Sequence, residues 1–339
     1  MAFRRQKITT KALPKIDVHI HLAGTGCCNS GCWISQSFQR RYTFMILKAM
    51  LKIKNEDLKT RADTDWQQKV SALVAGSVVD YGVVLGFDGV YHKKTHELDL
   101  AHSQMIIPHD WVFATCKKYP NLLPGPSINP FKQDALQELD YCIQNGAVLI
   151  KWLPATQSID VGSSDLKEFY RRMAAHKIPL LVHMGGERTF KEVSPEFNNV
   201  RSMKVPLEMG VKVICAHSAT RIIGSRERDQ QGDLTDLMKE FPHLYLDNSG
   251  MCNPGRFLHI HTLPKNSLAE SRTLYGSDWP VPSNAFYYLR KLGWKETSRL
   301  EKIPNLITRD CEIKKRFGYS EETMTRANGV LASLEKWIK

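Results

Sequence analysis

Short apolar segments of strand length alternate along the chain with longer segments in which apolar residues recur at helical spacing. The strand-like segments number eight: 16–22, 82–87, 122–128, 146–153, 179–184, 211–216, 244–248 and 273–278. The helical segments cover 37–53, 65–79, 101–118, 134–145, 164–176, 205–209, 233–241 and 321–339. Such alternation is typical of βαβ units and a parallel sheet. Eight units in one chain predict an α/β fold that closes into a (β/α)₈ TIM barrel with extra helices.

The chain predicts a single domain over 1–339, in which C-terminal helices from about residue 284 onward pack on the barrel. Its 339 residues exceed the usual size of one core, but barrels of this type often run that long. No repeat of fixed period, low-complexity segment or Pro/Gly/Ser-rich linker divides it. Hydrophobic residues at 42% and charged residues at 24% are ordinary for a soluble enzyme.

Cysteine usage and the start of the chain favour a reducing, cytoplasmic location. The eight cysteines are scattered, and residues 1–14 are basic and polar without the apolar core of a signal peptide. No stretch reaches the roughly 20 apolar residues of a membrane span. Cys27, Cys28 and Cys32 are the exception to the scatter. Three close thiols could bind a second zinc, but the missing fourth ligand favours ordinary loop cysteines.

The net charge of +12 is compatible with a polyanionic partner, an anionic substrate or a generally basic surface. The absence of a long Lys/Arg run favours the last interpretation. We therefore expect a small-molecule substrate rather than nucleic acid or membrane as the partner, and a homo-oligomer is compatible with the sequence.

The sharpest chemical signal is the Asp-Val-His-Ile-His segment at the end of the first predicted strand. Period-two alternation places Asp17, His19 and His21 on one face, and Val18 and Ile20 on the other, where they would pack outward against helices. Two imidazoles two residues apart on a strand can reach one ion. The carboxyl end of a barrel strand is where active sites lie. Taken alone, the pair could equally be two half-exposed structural histidines.

Residues at other strand ends favour a metal-binding role for these two histidines. His183 ends the fifth predicted strand, His217 ends the sixth, and Asp278 ends the eighth. Four histidines and a carboxylate at one rim of a barrel are hard to explain by packing. Imidazole and carboxylate ligands suit Zn²⁺, with Mn²⁺ or Fe²⁺ as alternatives. The sequence therefore predicts a divalent metal site.

Lys151 ends the fourth predicted strand. It could extend its ammonium to the mouth of the barrel. Alternatively, burial could lower the pKa of its ammonium, and the neutral amine could take up CO₂ and bridge two metals. The sequence leaves both open, and we favour a role as a ligand or near-ligand.

These residues resemble the pattern of the amidohydrolase superfamily: Asp-x-His-x-His on strand one, Lys on four, His on five and six, and Asp on eight. The surrounding sequence resembles its amidohydrolase-related branch, which is similar to carboxymuconate-semialdehyde-type decarboxylases and dicarboxylate lactonases. That resemblance rests on Gly-Ala-Val-Leu-Ile-Lys at 146–151, Leu-Val-His-Met-Gly-Gly at 181–186, Tyr-Gly-Ser-Asp-Trp-Pro at 275–280 and Arg-Ala-Asn-Gly at 326–329. It spans residues 16–331.

The resemblance implies one or two divalent metals per chain, most simply Zn²⁺. His19 and His21 would bind one metal with Asp278. If carboxylated, Lys151 would bridge to a second metal held by His183 and His217. In members with one metal, His183 remains a ligand, while His217 orients water or polarises the substrate.

The implied reaction is hydrolysis of an ester, lactone or amide bond by metal-activated water. A bound Zn²⁺ lowers the pKa of water to about 7. Asp278 would accept the proton and pass it to the leaving group, and His217 would assist at the scissile carbonyl.

Substrate contacts are expected in loops after the strands. The candidates are Trp152, Arg188, Arg221 and Trp279, together with Glu187, Asn248 and Ser249. An arginine there suits a carboxylate-bearing substrate, because its guanidinium binds a carboxylate through two hydrogen bonds. The alternative is that both arginines merely cover the barrel surface.

Three other functions compete. A nonoxidative decarboxylase would use the same metal scaffold. A TatD-like nuclease shares the His-x-His segment and fits the positive charge, but it carries an acidic ligand where Lys151 stands. A non-catalytic binding barrel is disfavoured because all the expected ligands are present.

Overall fold

The structure, a computed structural model, describes residues 12–50, 52–225 and 227–339. Residues 1–11, on which most of the expectation about a signal segment rests, lie outside the described residues. None of the helices in the described part of the chain combines the length and apolarity needed to cross a bilayer.

Each of the eight predicted strands is present, and a short additional pair accompanies them. The strands are β1 Ile16–His21, β2 Trp33–Ile34, β3 Tyr81–Leu85, β4 Met105–Ile106, β5 Leu122–Gly125, β6 Ile150–Trp152, β7 Leu180–His183, β8 Val213–Ala216, β9 Leu244–Asp247 and β10 Thr273–Leu274. Among these strands of the described residues, every pairing is parallel except that of β2 with β4. The parallel strands run in chain order, as β1-β3-β5 and as β6-β7-β8-β9-β10.

Backbone hydrogen bonds join these two sheets at both seams. The amide of Val148, just before β6, donates to the carbonyl of Pro124 in β5 at 2.9 Å. At the other seam, the amide of Asp278, after β10, donates to the carbonyl of His19 in β1, also at 2.9 Å. The eight parallel strands therefore form a closed TIM barrel, as the sequence predicts.

Helices follow the strands around the outside of the barrel. In the described residues they are α1 Gln36–Gln39, α2 Tyr42–Met50, α3 Asp57–Thr60, α4 Ala62–Ala75, α5 His109–Lys118, α6 Ala135–Gln144, α7 Pro154–Gln157, α8 Lys167–Ala175, α9 Lys204–Glu208, α10 Gln231–Glu240, α11 Ser267–Ser271, α12 Leu289–Glu301, α13 Leu306–Arg316 and α14 Glu322–Thr325. Near the C-terminus, α13 packs against α4 and α14 against β10.

Two predicted helices are shorter than expected. The segment 37–53 divides into α1 and α2. The segment 101–118 begins its helix only at His109, because Met105–Ile106 pairs with β2 instead. The long insertion after β1, residues 22–80, folds back over the carboxyl ends of the strands. There it forms part of the site described below.

The register of β1 corrects one sequence expectation. Its pairing with β3 shifts between Asp17 and Ile20, which breaks strict alternation. Val18 consequently lies in the apolar cluster of the barrel interior with Leu149 and Leu181, rather than facing outward. Ile20 does pack in the outer layer, against helical residues.

The predicted continuous helix over 321–339 is wrong. After α14, the chain continues in 3₁₀ turns at Arg326–Gly329 and Leu334–Lys336, with Ser333 at a φ of 51° between them. The apolar tail residues Ala327, Val330 and Leu331 join the interior cluster of the barrel. The turns allow these three side chains to enter the barrel interior, which a straight helix on the surface would not allow.

Candidate metal and catalytic site

Four histidines from three strand ends converge at the carboxyl rim of the barrel. Their rings form a chain in the order His21, His19, His217 and His183, with neighbouring centroids 4.7 to 5.0 Å apart. The structure therefore brings together side chains that are up to about 200 positions apart in the sequence, as expected for strands that end on one rim.

Hydrogen bonds fix the orientation of His19. Its Nδ1 lies 2.8 Å from Oδ2 of Asp247 and 3.1 Å from Oγ of Ser249. Carboxylate oxygens accept hydrogen bonds, so Nδ1 carries the proton and Nε2 presents its lone pair. A histidine held by a carboxylate through its other nitrogen is the usual arrangement of a metal-binding imidazole.

Asp278 faces the two histidines of β1. Its Oδ1 lies 3.2 Å from Nε2 of His21 and 3.7 Å from Nε2 of His19. Its backbone has a φ of 64°, in the left-handed region that non-glycine residues seldom adopt. Residues held in such conformations concentrate at functional sites, where surrounding contacts maintain them.

His183 and His217 also present lone pairs to one another. Nδ1 of His217 lies 3.1 Å from the carbonyl of Ser249, and Nε2 of His183 lies 3.3 Å from the carbonyl of Gly186. Both outer nitrogens therefore donate. The two inner nitrogens, His183 Nδ1 and His217 Nε2, are 3.2 Å apart, and a shared cation would satisfy both lone pairs.

The protonation of these rings suits metal binding. Burial holds the pKa of His19, His183 and His217 well below the ordinary value of histidine. The imidazoles are thus neutral near pH 7, the form in which they bind metals.

The donor set fits a divalent cation. The ligand atoms of His19, His21 and Asp278 all lie within 4.8 Å of one another. Two neutral imidazoles and one carboxylate are a common donor set for Zn²⁺. A second group in the described residues, His19, His217 and Asp247, meets the same distance criterion. There, however, Asp247 already serves as the hydrogen-bond acceptor for the imidazole of His19.

Lys151 is fully buried beside this group. Its Nζ lies 3.5 Å from Nε2 of His19. Burial lowers the pKa of its ammonium to about 8, although the carboxylates of Asp247 and Asp278 oppose that shift. In a fraction of the molecules, Lys151 would therefore carry a neutral, nucleophilic amine near neutral pH.

Asp247, which the sequence interpretation missed, is the centre of the hydrogen-bond network beneath the rings. Its Oδ1 accepts from the backbone amides of His217 at 2.7 Å and Ser249 at 3.0 Å, and from the hydroxyl of Ser249. Its Oδ2 faces His19. Its position as the last residue of β9 is the signal that could have found it, since the candidate ligands lie at the ends of other strands.

A cavity of about 370 Å³ opens onto the site. Its inner end contains His21, His183, His217 and Asp278, and the insertion after β1 forms much of its outer wall. This volume is within the usual range for small-molecule sites.

The predicted substrate-binding residues divide between the cavity and other places. Arg188 lines the cavity, but Arg221 is exposed and does not. Trp152 is completely buried outside it, where its indole donates to the carbonyl of Ile128 at 2.7 Å. Trp279 packs against Trp66, which itself lines the cavity, at 5.2 Å between ring centroids.

The sequence interpretation also missed Arg256, a buried residue of the cavity wall. Its guanidinium donates to the carbonyls of Thr220 and Gly186. Burial lowers its pKa, and the carboxylates of Asp278 and Glu187 oppose that shift. Arg256 thus places one positive charge beside the carboxylates at the polar end of the cavity.

The three cysteines of residues 27–32 do not meet as a ligand group in the part of the chain that the structure describes. Sγ of Cys27 and Sγ of Cys28 are 3.5 Å apart, while Cys32 is buried behind Gly24. No group that could hold a metal in the described residues includes these cysteines. All eight cysteines are free thiols.

The sequence matches the amidohydrolase family over residues 16–303. No curated protein matches it significantly. An uncharacterised TIM-barrel protein from Bordetella bronchiseptica has a similar fold, with a TM-score of 0.58 at 15% identity, over 93% of this chain and 99% of that one. A protein from Pseudomonas putida described as a 2-pyrone-4,6-dicarboxylic acid hydrolase gives 0.51 at 12% identity, over 96% and 97%.

Proposed function

Because the chain belongs to the amidohydrolase family, we propose that it is a metal-dependent hydrolase that cleaves an ester, lactone or amide bond of a small substrate. The observation that carries this proposal is the convergence of His19, His21 and Asp278, with ligand atoms within 4.8 Å of one another, beside a cavity of substrate size. The free thiols support a reducing, cytoplasmic location.

His19, His21 and Asp278 would hold the metal, which we propose to be Zn²⁺. When bound, a divalent cation would lower the pKa of its water and polarise the carbonyl oxygen of the substrate. The lone pairs of His183 Nδ1 and His217 Nε2 support a ligand role for these residues as well. For His217, the hydrogen bond from Nδ1 to Ser249 favours that role over donation to the substrate, because Nε2 then carries no proton.

Asp278 would move the proton. Its carboxylate lines the cavity and also faces the histidines, so it can contact both attacking water and leaving group. Holding the acceptor at a fixed position relative to the substrate is what makes general acid–base catalysis effective. Lys151 would bridge to a second metal only if it were carboxylated, and its buried amine supports that chemistry.

Hydrolysis should depend on bound metal. We expect purified protein loaded with Zn²⁺ to hydrolyse members of a panel of neutral esters, lactones and amides. Removal of the metal by a chelator should reduce the rate by more than about 100-fold, because water then keeps its high pKa. Added Zn²⁺ should restore the rate.

Aromatic and unsaturated acids, added to that panel, separate the alternatives. Release of CO₂ from aromatic or unsaturated acids, without hydrolysis, would replace the proposed hydrolase by a decarboxylase. Hydrolysis that continues unchanged after complete removal of the metal would contradict the proposal.

A further inference from the structure

We propose that the substrate carries a neutral aliphatic acyl chain, which occupies the outer part of the cavity while the scissile bond lies at the histidines. This inference rests on the proposed hydrolase and specifies its substrate class. It departs from the carboxylate-bearing substrate expected from the sequence.

The wall of the outer cavity is apolar. It is formed mainly by side chains of the insertion after β1 and its neighbours, including Leu22, Ile34, Phe38, Phe44, Leu58 and Trp66. Phe38 stacks on Phe190 with ring centroids 4.8 Å apart and planes 17° apart, and Phe190 contacts Phe87 at 4.8 Å. Packed aromatic side chains of this kind form a rigid surface that an apolar group can fill.

The acidic group in this wall already has its hydrogen-bond partners. Asp63 accepts from the amide of Thr25 at 2.6 Å, from the amide of Gly26 at 3.1 Å and from the hydroxyl of Ser30. It therefore needs no polar group from the substrate. Its charge would also repel a carboxylate placed in the outer cavity.

The cations of the cavity lie at its two ends. Arg188 donates to the carbonyl of Ile223 at 2.8 Å, and Lys48 pairs with Asn55; both are at the mouth. Arg256, at the polar end, donates to backbone carbonyls and faces the carboxylates of Asp278 and Glu187. A substrate carboxylate placed along the apolar wall between these two ends would lose its hydration without gaining a cation, which is unfavourable.

The entrance extends this apolar surface to solvent. Tyr42 and Ile46 of α2 line the cavity, yet they are 62% and 53% exposed. Met45 and Met50 on the same helix are also exposed. Exposed apolar side chains that are continuous with a cavity are typical of a binding site rather than of an inert surface. An acyl chain could thus contact apolar surface along its whole path to the histidines.

Binding of a homologous series of methyl ketones, from 2-butanone to 2-nonanone, tests this inference by calorimetry. These ketones are neutral, present a carbonyl and contain no bond to hydrolyse, so the measurement does not depend on turnover. Affinity should rise roughly fourfold for each added methylene, as expected when a CH₂ group leaves water. Oxo acids of equal length, with a terminal carboxylate, should bind at least about tenfold more weakly.

A pair of variants locates the binding site. Ile46→Asp should weaken binding of 2-nonanone about tenfold, whereas Leu100→Asp should leave it unchanged, because Leu100 is 52% exposed but does not line the cavity. Affinity that is independent of chain length, or tighter binding of the oxo acids, would overturn the inference even if hydrolysis is observed. Length-dependent ketone binding without hydrolysis would instead contradict the proposed function alone.

Discussion

Replacing Asp278 with Asn should lower kcat by about 10²–10⁴-fold, the usual contribution of a positioned acid or base. The amide keeps the size of the side chain but cannot accept the proton from water. The fold should survive, because the structural hydrogen bond at this position is made by the backbone amide of Asp278 to the carbonyl of His19. Much of the metal should also remain, since both histidines of β1 are intact. Steady-state kinetics and metal content, measured on the same preparation, check both expectations.

Asp88 provides a matched control for that experiment. It is 6% exposed, as is Asp278, and it lies just beyond β3 at the same end of the barrel. Its carboxylate accepts from the backbone amides of Gly89 at 2.8 Å and Asn129 at 2.7 Å, and it does not line the cavity. Asp88→Asn should therefore leave kcat within about threefold of the parent. Equal activity of Asp278→Asn and the parent would refute the proton-transfer role.

Replacing Asp247 with Asn should weaken Zn²⁺ binding by about 10–100-fold, the usual effect of removing a carboxylate that orients a metal-binding histidine. One amide oxygen cannot serve both His19 and the donors from His217 and Ser249, and the NH₂ group would face one of them. We also expect a loss of about 1–3 kcal/mol in the free energy of unfolding, because a buried donor is left unsatisfied.

Competition with a chelator of known affinity measures the Zn²⁺ dissociation constant of this variant, and denaturant unfolding measures its stability. Ser249→Ala is a useful comparison, because it removes one donor but leaves the carboxylate beside His19. It should weaken metal binding less than Asp247→Asn does. If Asp247→Asn binds Zn²⁺ as tightly as the parent, Asp247 does not orient His19 for metal binding.

The barrel and the convergence of the candidate ligands could be predicted from sequence because both depend on local rules. Each strand is a short apolar segment between turn-forming residues, and parallel strands place their carboxyl ends on one rim. His183 ends β7, His217 directly follows β8, and Asp278 lies four residues after the end of β10. To predict that these side chains lie close together, only the strand positions and the closure of the barrel were needed.

The remaining features depend on contacts between distant segments. Val18 faces inward because the register of β1 shifts against β3, which alternation along one strand cannot reveal. Trp152 is buried outside the cavity because it packs against Phe169 and Tyr170 of α8. The apolar cavity wall likewise depends on how the insertion after β1 folds back, and a periodic pattern does not encode that path.

Anomalous diffraction at the zinc absorption edge, from crystals of protein loaded with one equivalent of Zn²⁺, tests the central claim most directly. We expect a peak about 2 Å from Nε2 of His19, Nε2 of His21 and a carboxylate oxygen of Asp278. A second peak next to Lys151 in crystals with excess Zn²⁺ would support its carboxylation. A zinc peak elsewhere, for example at Cys27 and Cys28, with none between His19, His21 and Asp278, would contradict the account.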